Sequence, residues 1–150
     1  MITMTSKVRW TIIVAGGFFL FLDRFLKWMA MTDWTKPMLA NKYLGWELYF
    51  NPGIAFSLPL SNTAIIAFTA PMIILILYLL IKNFKKQASI LLAWTLVLAG
   101  AISNLIDRLL YKHVVDYFRI LTGVINLADI MIAMGLIIYL LSLKSKPKEI

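Results

Sequence analysis

Cysteine is absent, so the chain forms no disulfide, offers no thiolate nucleophile and has no cysteine metal site. Histidine occurs once, at His113, which leaves a histidine-rich metal centre without ligands. The G-x-S-x-G pattern of a serine nucleophile elbow is missing. Serine chemistry stays formally open through Ser57, Ser61 or Ser103, but His113 would be the sole histidine partner, and it reads as an ordinary outer-loop residue. No metal or cofactor is expected. No internal repeat, low-complexity stretch or soluble linker divides the chain. Acidic residues number only seven, against fifteen lysines and arginines. That surplus does not mark a nucleic-acid binder. The basic residues sit in short clusters between apolar runs, the pattern of charge that orients a chain in a membrane.

What is present is grease. Hydrophobic residues make up 61% of the 150 and the mean hydropathy is +0.84, outside the soluble range. The length suits one domain. The apolar runs predict an all-α membrane protein with four transmembrane helices, over about 10–30, 63–81, 88–106 and 126–143. Pro71 inside the second run is tolerable where neighbours satisfy the freed carbonyl. The first run is too long, and too polar at its end, for a cleaved signal peptide.

Orientation follows from the cations. Lys7 and Arg9 precede the first run, Lys82, Lys85 and Lys86 join the second to the third, and Lys144, Lys146 and Lys148 follow the fourth. These segments share one side, predicted to be the cytoplasm, with both termini there. Segments 31–62 and 107–125 then lie at the outer face. In the first of them, "WELYF" is aromatic and β-prone and Asn51-Pro52-Gly53 is a turn signal, so a small β element within 43–58 is expected at the outer interface. Trp46, Tyr49 and Phe50 suit the headgroup region. The tail, about 144–150, reads as disordered.

An ionisable group near a membrane core costs on the order of 2.5–3.5 kcal/mol on insertion scales, so each one needs a reason. Asp23 and Lys27, in "DRFLK", share a helix face and can pair, or can simply anchor the helix end with snorkelling cations. In "GAISNLIDRL", Gly100, Asn104 and Arg108 fall on one face. Gly100 permits close helix approach, Asn104 can hydrogen-bond across it, and Asp107–Arg108 can be a solvated helix end. Asp116 can be a loop carboxylate. Asn126 and Asp129, in "NLAD", have the spacing of a capping box. Two carboxylates that meet near an interface repel, however, and one then tends to keep a proton. That is the arrangement of an acid and a base.

In these motifs the chain resembles the lipoprotein signal peptidases (signal peptidase II), over about Asp23 to Met134 and with the same four-span order. Asp23 and Lys27 look like that family's D-x-x-x-K. "NPGIAF" looks like its N-x-G-x-A-F, "GAISNLIDR" like its G-x-x-G-N-x-x-D-R, "VVDYF" like its V-V-D-F and "NLAD" like its N-x-A-D. The five occur in order. There are departures: Ser103 stands where the family usually has glycine, and Ala99 and Ile125 replace a common glycine and phenylalanine.

The resemblance implies an aspartyl endopeptidase with Asp116 and Asp129 as the catalytic pair. Asn51, Asn104, Arg108 and Asn126 would position the substrate or the pair, with Asp23, Lys27, Gly53, Gly100 and Asp107 as structural support. The implied substrate is a prolipoprotein whose signal peptide is cut just before a diacylglyceryl-modified cysteine. The implied setting is the bacterial cytoplasmic membrane, multi-pass and monomeric, with the site near the outer face and lipid as a neighbour. Two other readings remain open on the residues alone. One is a small proton-coupled transporter, disfavoured because the acids gather at one face. The other is a membrane partner with purely structural carboxylates.

Overall fold

The computed structural model describes residues 5–33, 36–53, 60–85 and 87–144. Four helices are present: α1 (Ser6–Thr32), α2 (Asn62–Asn83), α3 (Ala88–Tyr111) and α4 (Leu127–Lys144). Hydroxyl caps start the first two. Thr5 Oγ1 accepts from the Val8 N–H at 3.4 Å, and Ser61 Oγ from the Ala64 N–H at 3.2 Å. Pro71 lies within an unbroken α2. α3 stops where Lys112 turns left-handed, with φ of 67°.

α3 is the central helix and touches each of the other three. Its apolar side chains Leu91, Trp94 and Val97 form a buried cluster with Ile76 and Leu80 of α2, and Tyr139 of α4 packs at a tilt against Trp94. Small residues set the closest approaches. A Cβ on Gly100 of α3 would lie 2.5 Å from the Ala128 carbonyl oxygen. A Cβ on Gly135 of α4 would lie 2.7 Å from the Ala93 carbonyl oxygen. Gly16 of α1 abuts Thr95 in the same manner. Large apolar side chains such as Phe21, Phe68, Ile74 and Leu140 point outward, as they would toward lipid.

Three of the helices, α2, α3 and α4, are long and apolar enough to cross a bilayer. α1 is long enough but does not match them, because Asp23, Arg24 and Lys27 fall within its second half. Its uncharged stretch, Trp10 to Leu22, would span only about 20 Å at 1.5 Å per residue, short of a hydrocarbon core of about 30 Å.

The small β element expected beside the helices is present, and it extends beyond the 43–58 segment. A four-stranded antiparallel sheet, in the order β1-β2-β3-β4, is built from β1 (Met38–Asn41), β2 (Leu44–Asn51), β3 (Val114–Ile120) and β4 (Gly123–Ile125). The expected β element corresponds to β2. Its partner β3 comes from a segment read as a connector, and it pairs so that Tyr49 opposes Asp116 and Asn51 opposes Val114. "VVDYFRI" shows no clean alternation because its first four residues are all buried. α3 also runs five residues beyond its expected end at 106. Ile54, Ala55 and Phe56 of the "NPGIAF" motif, Ser57, Lys86 and the tail from Ser145 lie outside the described residues.

Candidate active site

The end of α1, the start of α2, the end of α3 and the start of α4 converge beneath the sheet. Side chains make the connections. Asn62 of α2 donates to the Arg108 carbonyl at 3.2 Å, and the Ala128 N–H of α4 donates to Asp23 of α1 at 3.1 Å.

Lys27 is fully buried, and its ammonium has three acceptors for its three protons: Asp23 Oδ2 at 3.1 Å, Asp107 Oδ2 at 2.7 Å and Asn104 Oδ1 at 2.8 Å. Asp107 also pairs with Arg24 and accepts the Val115 N–H at 3.1 Å, tying α1 and α3 to the sheet. The readings of a snorkelling Lys27 and a solvated Asp107 are therefore overturned. Both face inward because each completes the other's hydrogen bonding where water cannot. Arg108 reaches the carbonyls of Pro52 and Gly53, which holds the Asn-Pro-Gly turn against α3. Within that turn the Gly53 N–H donates to Asn51 Oδ1 at 3.1 Å.

The turn fixes Asn51, whose amide donates to Asp116 Oδ2 at 3.0 Å. The Asn126 amide donates to Asp116 Oδ1 at 2.6 Å. Both oxygens of Asp129 are also engaged, Oδ1 by the Asn104 amide at 2.9 Å and Oδ2 by the Asn126 N–H at 3.4 Å. Asn126 Oδ1 accepts the Asp129 N–H at 2.9 Å, so the capping box read from "NLAD" is formed. It serves the helix start and orients Asp129 at once.

The electrostatics favour one retained proton. Four carboxylates (Asp23, Asp107, Asp116 and Asp129) share this region with three cations (Arg24, Lys27 and Arg108). Asp116 is 1% exposed. Burial, and then the charge of Asp129, push its carboxyl from 3.8 up to about 7, against the opposing hydrogen bonds from Asn51 and Asn126. Two oriented carboxylates, one of which keeps a proton, can act as acid and base toward a water. The described residues contain no group of three or more His, Asp or Glu side chains placed to hold a metal ion.

The chain as a whole has known relatives. The family model for signal peptidase (SPase) II matches residues 15–144. The chain belongs to the signal peptidase II family. A lipoprotein signal peptidase of Syntrophus aciditrophicus is 31% identical over 152 residues, covering 91% of this chain and 94% of that protein. One from Acinetobacter baumannii is 31% identical over 145 residues, covering 85% and 82%. A bacterial membrane enzyme solved by the in meso method at 2.3 Å resolution superposes with a TM-score of 0.75 and 25% identity, over 93% of this chain and 94% of the other. Membership in the signal peptidase II family makes the protein a membrane peptidase.

Within this peptidase, the eleven residues assigned to catalysis, positioning or support from the sequence lie in one connected region. Asp23 and Lys27 come from α1, Asn104, Asp107 and Arg108 from α3, Asn51 and Gly53 from the turn after β2, Asp116 from β3, and Asn126 and Asp129 from the start of α4. Gly100 lies one turn below Asn104, at the α3–α4 crossing. The serine alternative finds no support among the described residues. Ser103 Oγ donates to Asp23 Oδ2 at 2.6 Å and Ser61 caps α2, while His113 packs at a tilt against Phe50 with ring centroids 4.4 Å apart. Burial pulls the His113 imidazole below its usual value.

The part played by Tyr117 was not read from the sequence, Ser103 was read only as a formal nucleophile and a family departure, and Arg24 only as part of the helix end "DRFLK". Tyr117 donates to Asp23 Oδ1 at 2.9 Å and accepts the Leu127 N–H at 3.0 Å. The tyrosine inside "VVDYF", directly after Asp116, was the available signal. It carried little weight, because a strand tyrosine is ordinary.

Proposed function

We propose that this peptidase removes the signal peptide of a bacterial prolipoprotein by hydrolysing the bond just before a diacylglyceryl-modified cysteine, with Asp116 and Asp129 as an aspartyl dyad. The observation that carries the reading is the paired suspension of these carboxylates. They arrive from separate segments, all four oxygens are held by donors, and one carboxyl is raised to about 7. Structural charges need cationic partners, whereas these two receive neutral amides that orient them without quenching their acid–base character.

In this mechanism the ionised carboxylate takes a proton from a water, whose oxygen attacks the carbonyl carbon. The protonated partner gives its proton to the amide nitrogen as the C–N bond breaks. Asn51, Asn104 and Asn126 hold the two groups in register, and Arg108 fixes the turn that carries Asn51. No metal or cofactor takes part, and the enzyme acts as a monomer. α1 serves as the fourth membrane-crossing helix, its charged end buried by α3 and α4 instead of facing lipid. Both termini are cytoplasmic, and the dyad sits near the outer face of the bacterial inner membrane. There the lipid chains of the substrate stay in the bilayer while its peptide bond reaches the water.

Asp116→Asn and Asp129→Asn test this. Each keeps size and most hydrogen bonding. Single-turnover cleavage of a diacylglyceryl-modified precursor should fall by about three orders of magnitude or more in either variant, and the double variant should be hardly worse. Near wild-type cleavage by either well-folded variant would end the dyad assignment.

A further inference from the structure

We infer that the Tyr117 hydroxyl is a positioning group for the two aspartates, holding the strand of one in register with the helix start of the other. The inference rests on the dyad reading above. An α-helix begins with four N–H groups that lack intrahelical partners. At the start of α4 all four have acceptors. The Asn126 N–H is bound by Asp129 Oδ2 and the Asp129 N–H by Asn126 Oδ1, the local pair. The two between them are bound from outside, the Leu127 N–H by the Tyr117 hydroxyl and the Ala128 N–H by Asp23 Oδ1. Tyr117 closes the set by donating to that same Asp23 oxygen at 2.9 Å.

Position gives this hydroxyl its importance. Tyr117 directly follows Asp116 on β3, and Leu127 precedes Asp129 by two residues in the first turn of α4. Asn126 ties the start of α4 to β3 through Asp116 at 2.6 Å and the Val115 carbonyl at 3.4 Å, and β4, just before it, pairs with β3. Those bonds all end at or before Asn126, whereas the 3.0 Å bond from Leu127 to Tyr117 is a second strut that reaches the helix itself and fixes its orientation. The Tyr117 ring is buried and stacks on Trp46 with centroids 6.2 Å apart, so the hydroxyl cannot swing away. Burial, and then the charge of Asp23, push its phenol well above the usual tyrosine value, which keeps it a donor to Asp23 at every working pH.

Tyr117→Phe keeps the ring and removes the second strut. On a diacylglyceryl-modified precursor in detergent micelles, kcat should fall by about tenfold or more while KM stays within about twofold, since the loss touches alignment and not substrate contact. Leu127→Pro provides an independent arm. Proline suits the first helical position and removes the same bond from the amide side. The double variant should be no slower than the slower single variant. A folded Tyr117→Phe enzyme with wild-type kcat, a change confined to KM, or losses that multiply in the double variant would each overturn the inference. If Tyr117→Phe did not fold, wild-type kcat in Leu127→Pro would overturn it alone. Asp116→Asn and Asp129→Asn run alongside separate the two levels. Their inactivity beside a fully active Tyr117→Phe sinks only the strut, whereas their activity sinks the dyad and the strut together.

Discussion

Gly100→Ala should damage turnover more than stability. A Cβ at Gly100 would lie 2.5 Å from the Ala128 carbonyl oxygen and 2.8 Å from Ile132 Cγ1. The nearer obstacle is backbone and cannot rotate aside, so α3 and α4 must part by roughly 1 Å to restore ordinary contact. Overpacking of this kind costs about 1–3 kcal/mol, and the better helix propensity of alanine offsets about 1 kcal/mol of it. The net loss of stability is then at most about 2 kcal/mol. Asn104 stands on α3 one turn above Gly100, and its 2.9 Å bond to Asp129 on α4 crosses the same interface. An extra ångström takes it past hydrogen-bonding range. Displacement on that scale at a reacting group costs on the order of 100-fold in rate, or about 2.7 kcal/mol of barrier. The assay is single-turnover cleavage of a lipid-modified precursor, with thermal unfolding in the same detergent. Gly17→Ala is the control. Nothing lies within 4 Å of its Cβ position, so that variant should keep full turnover and gain about 0.5–1 kcal/mol in stability. Gly100→Ala that cleaves within twofold of wild type would refute the idea that this crossing sets the alignment of Asp129.

Three further outcomes are expected. Cleavage should fall as pH rises past about 7, because Asp116 then loses the proton that burial and Asp129 have kept on it. The pair should give a bell-shaped profile, and rates that stay flat from about pH 5 to 9 would contradict this. The same shift has a sign for stability. The folded state holds a proton that the unfolded chain releases near 3.8, so this contribution is full below that value and is lost as pH rises through about 7, visible as a falling unfolding temperature. Lys27→Met should cost about 3–5 kcal/mol, because it leaves Asp23 and Asp107 buried with a cation removed. A thermal shift near zero would mean that water or protons already neutralise them. A reporter fused after Ile150 should work only as a cytoplasmic-side reporter, and an outward-facing tail would invert the proposed position of the site.

The helices were legible because lipid exposure demands long apolar runs, and each expected run contains a helix within a few residues of its bounds. The carboxylates were legible as anomalies, since charge amid apolar sequence is expensive enough to need a purpose. β3 was not legible. "VVDYFRI" is buried on both faces at its start, so it lacks the alternation that marks a half-exposed strand. The inward direction of Lys27 and Asp107 was hidden for a related reason. A charge near a helix end looks the same in sequence whether it meets water or a partner.

Sequence alone therefore determined the chemistry available to this protein. It has carboxylates and amides without thiols or histidine clusters, spaced along apolar segments whose length the bilayer dictates. Tertiary structure decided which of these groups met. Asp116 finds Asn51 across a sheet pairing, Asp129 finds Asn104 across a crossing that a glycine permits, and Tyr117 finds Leu127 and Asp23 where β3, α4 and α1 converge. Composition and hydrophobic period are local properties and survive in a one-dimensional string. The pairing of hydrogen-bond donors with carboxylates depends on the distance of closest approach between segments, which is fixed only when their backbones pack.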